Sequence, residues 1–226
     1  MVFKEKNWNA IKTADSWQIF RIMSEFVDGF ESMSKIGPCV SVFGSARTQP
    51  DNMYYHQAEE IGYLLTQKGY GVITGGGPGI MEAANRGASE ANGINVGLTI
   101  SLPLETSGNE WISEDLNMKF HYFFMRKFWF LYLAKALVVW PGGFGTLDEI
   151  MELLTLIQTE KIKKRLPIVL YGKEFWEKVV NWEYLAEIGT ISPDDLDLFH
   201  ISDEIGDTFQ YVTDFLNNNE LKGPNF

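Results

Sequence analysis

Apolar residues recur at three- and four-residue steps at Trp17, Phe20, Met23, Val27, Phe30 and Met33, which puts them on one face of a helix opening near Asp15 or Ser16. After Gly37-Pro38 the period changes. Cys39-Val40-Ser41-Val42-Phe43 is a short β-rich run ending in Gly44-Ser45-Ala46-Arg47, and Ala58, Ile61, Leu64 and Leu65 then return to helical spacing. The unit repeats as a strand over 70–74, a glycine loop over 75–79, an Ala-rich helix over 80–91 and a strand over 94–100. Residues 119–122 suggest a further short strand, followed by an aromatic helix over 123–135. An apolar strand over 136–140 then enters a second glycine loop at 141–145. A helix over 146–159, a last clear strand over 167–171 and helices over 174–188 and 204–216 complete the pattern.

Near-continuous apolar strands alternating with helices predict an α/β fold: a Rossmann-like, doubly wound parallel sheet between two helical layers, with ligands bound beyond the strand C-termini. The 226 residues suffice for one such domain, expected over 38–226, with 1–37 as a helical extension.

Charge narrows the partners. Nineteen Lys and Arg against 30 Asp and Glu leave a net of −11, a field that repels phosphate polyanions, so no nucleic acid is expected. The single cysteine, Cys39, excludes an intramolecular disulfide, and a cytoplasmic location is the default expectation. Residues 1–10 carry Lys4, Glu5 and Lys6 without the apolar run of a secretion signal. The most apolar stretch, 128–140, is interrupted by Lys135 and falls short of the ~20 residues that span a bilayer, so no membrane partner is expected.

Thr74-Gly75-Gly76-Gly77-Pro78-Gly79 and Pro141-Gly142-Gly143-Phe144-Gly145-Thr146 each follow a predicted strand and open a helix. Glycines let a ligand approach the main chain, and the first N–H groups of the next helix are unpaired and carry positive dipole charge, which suits a phosphate. A tight ligand-free turn would explain one such loop as well as an anion would; two favour the anion. The dinucleotide fingerprint needs Gly or Ala where this chain has Ile80 or Glu82, and the one Gly-Lys near a strand end, Gly172-Lys173, continues with Glu174, so no Walker loop is present.

Thr146-Leu147-Asp148-Glu149 has the spacing of a capping box, the simplest account of that tetrapeptide. A ligand phosphate would cap the helix instead. Glu149 would then face whatever the phosphate is attached to, and beside a ribose its carboxylate can stabilise positive charge at the anomeric carbon and orient a water. Arg126 and Lys127 lie within an aromatic helix: Lys127 can run its stem along the apolar face to solvent, whereas the Arg126 fork can hold a ligand oxygen and a carboxylate together. Phe120, Phe123, Phe124, Trp129 and Tyr132 read as core or a subunit seam. His56, His121 and His200 are scattered, so no metal site is expected.

The run Pro141-Gly142-Gly143-Phe144-Gly145-Thr146-Leu147-Asp148-Glu149 resembles the PGGxGTxxE signature of the LONELY GUY family, whose members are often labelled possible lysine decarboxylases. The resemblance extends through 41–47, the triple-glycine loop with 79–85, and Met125-Arg126-Lys127, covering roughly 38–172. It implies a Rossmann-like fold, a homodimer or higher homo-oligomer, and hydrolysis of the N-glycosidic bond of AMP or a cytokinin riboside monophosphate to free base and ribose 5-phosphate. Arg126 and Glu149 match the family's catalytic pair. Gly44, Ser45, Gly75, Gly76, Gly77, Gly79, Glu82, Lys127, Gly142, Gly143, Gly145 and Thr146 are the substrate contacts the loops and the resemblance together nominate. Glu82 after Met81 and the helix over 15–35 resemble the longer branch of the family. No lysine has a setting that singles it out for pyridoxal phosphate, and no cofactor is expected. The alternative is a non-catalytic nucleotide or molybdenum-cofactor carrier.

Overall fold

The structure is a computed structural model describing residues 8–33, 36–101, 108–132, 134–218 and 225, with side chains described from residue 16 onward. Most of the segment read for a secretion signal, the expected end of the first helix at 34–35, and residue 133 of the expected aromatic helix lie outside the described residues.

The described strands are β1 (Cys39–Phe43), β2 (Gly71–Thr74), β3 (Asn95–Ile100), β4 (Asn117–Phe120), β5 (Ala134–Val139), β6 (Ile168–Tyr171) and β7 (His200–Ser202). They form one parallel sheet in the order β4-β3-β2-β1-β5-β6-β7. Side chains alternate across it even though both faces are buried. Cys39, Phe43, Leu137 and Val139 enter one core, with Trp129, Phe130, Ile150, Leu153 and Trp176. Val40, Val42, Ala136 and Val138 enter the other, with Ala58, Ile61, Leu65, Ala83 and Val212. The helices contributing to these cores are α1 (Trp8–Met33), α4 (Phe123–Tyr132), α5 (Phe144–Gln158), α6 (Lys173–Val179) and α7 (Trp182–Glu187) on the first face. On the second are α2 (Met53–Gln67), α3 (Ile80–Glu90) and α8 (Ile205–Asn218). The three-layer, doubly wound architecture is the one the alternation predicts. Among the described residues no helix is long and apolar enough to cross a membrane.

Several boundaries differ from the sequence reading, and the helical stretch expected over 174–188 is divided into α6 and α7. Helix α1 begins at Trp8, well before Asp15. Helix α4 stops at Tyr132, so Lys135 belongs to β5, where an apolar strand tolerates a lysine at its N-terminal edge. The edge strand β7, three residues long, was not anticipated. Helix α1 docks on α4 through Ile22, Phe26 and Met33, with Phe26 edge-on to Phe128 at 5.3 Å and Phe30 edge-on to Trp129 at 4.9 Å. Gly29 permits that approach: a Cβ there would lie 2.3 Å from the Trp129 ring.

Asn225 bonds the end of α4 to the start of β5. Its side-chain amide donates to Leu131 O and Ala134 O at 2.5 and 2.7 Å, and its backbone N–H to Tyr132 O at 2.9 Å. Asn225→Ala leaves two buried carbonyls short of a donor, and a loss of about 1–3 kcal/mol is expected in urea unfolding; an unchanged midpoint would show that water replaces the amide.

Candidate active site

The sheet order reverses direction between β1 and β5, so the crevice beyond their C-terminal ends is the topological switch point at which doubly wound folds bind ligands. Three loops meet there. Ser45 N donates to Pro141 O at 3.0 Å and Ile80 N donates to Ser45 O at 3.1 Å, so the loop after β1 is bonded to both glycine loops. Gly79, at φ +71°, packs so closely that a Cβ would lie 2.3 Å from Ser45 O, and a Cβ on Gly44 would meet Ile80. These two glycines are contacts between loops rather than open ligand surface.

A buried polar chain shapes the triple-glycine loop. Thr74 Oγ1 accepts from Gly76 N at 3.0 Å and donates to Asn85 Oδ1, whose amide donates in turn to Asn95 Oδ1, both at 2.5 Å. Asn109 donates to Asn85 Oδ1 at 2.9 Å and to Gly77 O at 3.2 Å, while its backbone N–H reaches Gly76 O. Buried amides in such a chain are costly unless satisfied, and here they fix the loop. The consequence corrects one expectation: the Gly76 amide and the first amide of α3 already have partners within the protein, so this loop is a wall more than a cradle.

Helix α5 differs. Its N-cap, Gly143, lacks a side-chain cap just as Gly79 of α3 does, but the helix starts at Phe144, two residues before the expected start, and its first amide has no counterpart of the Ile80 N to Ser45 O bond among the described residues. Thr146 therefore lies inside the first turn with its hydroxyl packed beneath Gly142, and the capping box with Glu149 does not form. The first intrahelical bond is Leu147 N to Gly143 O, which leaves the amides of Phe144, Gly145 and Thr146 without helical acceptors. A Cβ on Gly143 or Gly145 would meet nothing within 4 Å. This helix tip, open and dipole-positive, suits an anion better than that of α3, whose first amide is bonded to Ser45 O and whose first turn carries Glu82.

One further turn along α5, Glu149 is 5% exposed, and its Oε2 is buried with no hydrogen-bond partner. Its Oε1 lies 3.9 Å from Arg126 Nη2, an ion pair longer than a hydrogen bond. Burial pushes the Glu149 carboxyl up to about 7, against the pull of Arg126 and Lys127 and with a smaller push from Asp148 and Glu152. The Arg126 guanidinium is stacked between Phe123 and Phe130, 5.2 and 5.6 Å from their ring centres. Lys127 is placed elsewhere: its ammonium pairs with Asp148 at 2.9 Å and Glu152 at 2.5 Å, clasping α4 to α5.

Beside the triple-glycine loop lies a cavity of about 420 Å³, whose lining includes Gly75, Glu82, Asn109, Asn117 and Lys119. Gly75 joins it to the Arg126–Glu149 pair, since a Cβ there would lie 3.7 Å from Arg126 Nη1. Glu82 Oε1 accepts from Tyr55 OH at 3.1 Å. Asn85, Asn95, Asn109, Asn117 and Lys119 escaped the sequence reading; an asparagine inside the Ala-rich pattern over 80–91 was the available signal. Of the histidines, His200 pairs with Asp207 at 2.7 Å, and His121 offers its backbone N–H to Glu25.

Comparison with known proteins is consistent with this architecture. Over 129 residues the chain is 28% identical to an uncharacterized protein of Archaeoglobus fulgidus, covering 56% of this chain and 81% of that one. The solved structure of TM1055 covers 79% of this chain and 99% of its own length, with a TM-score of 0.57 at 23% identity. The molybdenum cofactor carrier protein of Chlamydomonas reinhardtii and the molybdenum cofactor binding protein of Rippkaea orientalis each give a TM-score of 0.55 at 19% and 20% identity. Each covers 80% of this chain and 99% of its own. At such identities the likeness speaks for the fold. Residues 81–212 match the family described as "Possible lysine decarboxylase". More than half of the sequence is matched, and the chain belongs to that family, the one its Pro141 to Glu149 loop resembles.

Proposed function

We propose that this protein hydrolyses the N-glycosidic bond of a purine nucleoside 5′-monophosphate, releasing the free base and ribose 5-phosphate. The observation that carries the reading is the buried Glu149 carboxylate, one oxygen unpartnered and the other facing Arg126, one turn beyond an uncapped helix tip. The 5′-phosphate docks on the amides of 144–146, and the ribose lies against Glu149 and Arg126. The base passes over Gly75 into the 420 Å³ cavity, a volume within the ~300–1,000 Å³ range of small-molecule pockets. As the C1′–N bond breaks, its electron pair leaves with the base. Ionised Glu149 stabilises the cationic sugar and orients a water, whose hydroxyl bonds to C1′ and whose proton passes to the departing base nitrogen.

The family's descriptive name implies a pyridoxal phosphate enzyme, and the residues here do not fit one. A Schiff-base lysine needs a lowered pKa, whereas Lys127, the lysine beside the pair, is held above its ordinary value because the hydrogen bonds it donates to Glu152 and Asp148 outweigh the downward push of burial; burial does lower Lys135, but that residue is at the N-terminal end of β5, away from the crevice. The carrier reading rests on the two fold neighbours; the same helix tip and loops would hold a phosphorylated cofactor without reaction. Incubation with AMP followed by chromatography separates the two. Adenine release, absent with adenosine, is expected; intact AMP with a raised melting temperature would favour a carrier.

The perturbed carboxyl fixes a pH dependence. Catalysis needs ionised Glu149, so kcat/KM for AMP is expected to rise through an apparent pKa of about 7 and level off above it. A profile already flat from about pH 5 would exclude Glu149 as the titrating group.

A further inference from the structure

Among the described residues lining the cavity beside the triple-glycine loop, Pro78 and Ile100 supply the apolar side chains; the rest are glycines and polar groups, whereas small-molecule pockets are mostly apolar. Much of that polarity is already satisfied within the protein. The Asn109 amide donates to Gly77 O and Asn85 Oδ1 while its Oδ1 accepts from Trp111 N, and Thr99 Oγ1 lies 3.2 Å from Asn117 Oδ1 and 3.1 Å from Met118 O. Two charged groups are left. Glu82, in the first turn of α3, is half-buried; the Tyr55 hydroxyl fixes its Oε1, and Oε2 accepts no bond from the described residues. Lys119 of β4, the register partner of Thr99 in β3, is exposed at the rim. Glu82 and Lys119 form no ion pair with each other or with any other described residue, so opposite charges line one cavity and stay apart.

We propose that this cavity reads the edge of the base remote from the sugar and selects a 6-oxopurine, guanine above all, over adenine. The inference rests on the hydrolase reading for the placement of phosphate and ribose. With the phosphate at the tip of α5 and the base passing over Gly75, the six-membered ring of a purine points toward β3 and β4, the latter being the strand farthest from β5 in the sheet. Guanine brings two adjacent donors there, N1–H and the 2-amino group, which a carboxylate accepts together, and its O6 accepts from an ammonium. Adenine inverts the match. Its N6 amino group is flanked by the lone pairs of N1 and N7, so a carboxylate that accepts from N6 is repelled by the neighbouring nitrogen, and no exocyclic oxygen faces Lys119. Hypoxanthine keeps N1–H and O6 but lacks the 2-amino group, and falls between the two. A prenyl group on N6 takes away one of adenine's donors and brings an apolar chain into a polar cavity.

The test measures kcat/KM for base release from GMP, IMP, AMP and N6-isopentenyl-AMP, and the affinity for each by calorimetry. The order GMP, IMP, AMP, prenylated AMP is expected in both, with GMP about 10- to 100-fold ahead of AMP. Glu82→Gln exchanges one acceptor for an amide donor, which suits the donor–acceptor edge of adenine, so GMP and AMP are expected to change places. A merely structural role for Glu82 would lower both alike. Lys119→Met, which keeps the length of the stem, is expected to cut the ratio of GMP to AMP about tenfold by removing the donor to O6. A wild type that handles AMP as well as GMP, or a preference that both variants leave unchanged, would overturn the proposal. Base release from none of the four nucleotides would refute the hydrolase reading instead, and the calorimetric order would then decide the base preference alone.

Discussion

Glu149→Gln is expected to abolish base release while sparing ligand binding. The substitution keeps the shape of the side chain and removes its charge, so the cationic sugar loses its counter-charge and the water its orienting acceptor. A positioned acid or base contributes about 100- to 10,000-fold, a loss that chromatographic measurement of adenine resolves. The phosphate, held by the backbone amides of 144–146, is unaffected, and calorimetry should give an AMP affinity near that of the wild type. Full turnover by the variant would refute the assignment of Glu149.

The same substitution should stabilise the protein, and pH decides how much. Below the ordinary carboxyl value of 4.5 the group is protonated in both folded and unfolded chains, and the substitution changes little. Between 4.5 and about 7 the unfolded chain has lost the proton and the folded chain retains it, so folding stability falls as pH rises. Above about 7 the buried group is charged and its cost is complete, on the order of 3 kcal/mol. At about pH 8 Glu149→Gln is therefore expected to melt on the order of 10 °C above the wild type, with the difference vanishing near pH 4. An inactive variant that is more stable separates a site held at energetic expense from one disrupted by misfolding.

Much of this arrangement could be read from the chain because its chemistry sits directly after strands. Apolar runs marked β1, β2 and β5, and glycines marked the turns beyond them, so the sheet brought the loops together without further information. The start of α5 was misread for a definite reason. Gly143-Phe144-Gly145 has loop propensity, and the turn that adds the exposed Phe144 and Gly145 to the helix is set by a main-chain bond, Leu147 N to Gly143 O, that no side-chain motif marks, so Thr146 has the look of a cap. Lys127 was misplaced because its acids, Asp148 and Glu152, lie on another helix. The docking face of α1 is half legible: the stripe read from the sequence contains Phe30 and Met33, which meet the core, but not Ile22 and Phe26, because Gly29 interrupts the apolar row they form with Met33. In the Thr74–Asn85–Asn95–Asn109 chain, Thr74 and Asn85 lie in stretches the resemblance covers, but nothing local marks Asn95 and Asn109, and the four polar residues acquire their role only when the fold buries them together.

Arg126 is the harder residue to replace, because it acts on Glu149 and on the ligand together. Removing a cation beside a buried carboxylate disfavours the charged form, so in Arg126→Ala the Glu149 pKa climbs above its present value and the rising limb of the pH profile moves to higher pH. At neutral pH most molecules then carry a protonated Glu149, and the guanidinium is also lost from the sugar. A fall in kcat/KM of at least about 100-fold is expected at pH 7, partly recovered at pH 9. Arg126→Lys divides these effects. The charge persists, so the limb stays near its wild-type position, but a lysine has no planar fork to lie between Phe123 and Phe130 and hold an oxygen in two places, so the plateau falls. A displaced limb in the alanine variant beside an undisplaced one in the lysine variant identifies Arg126 as the group that keeps Glu149 ionised. Identical limbs in all three proteins would mean that Arg126 serves the ligand alone.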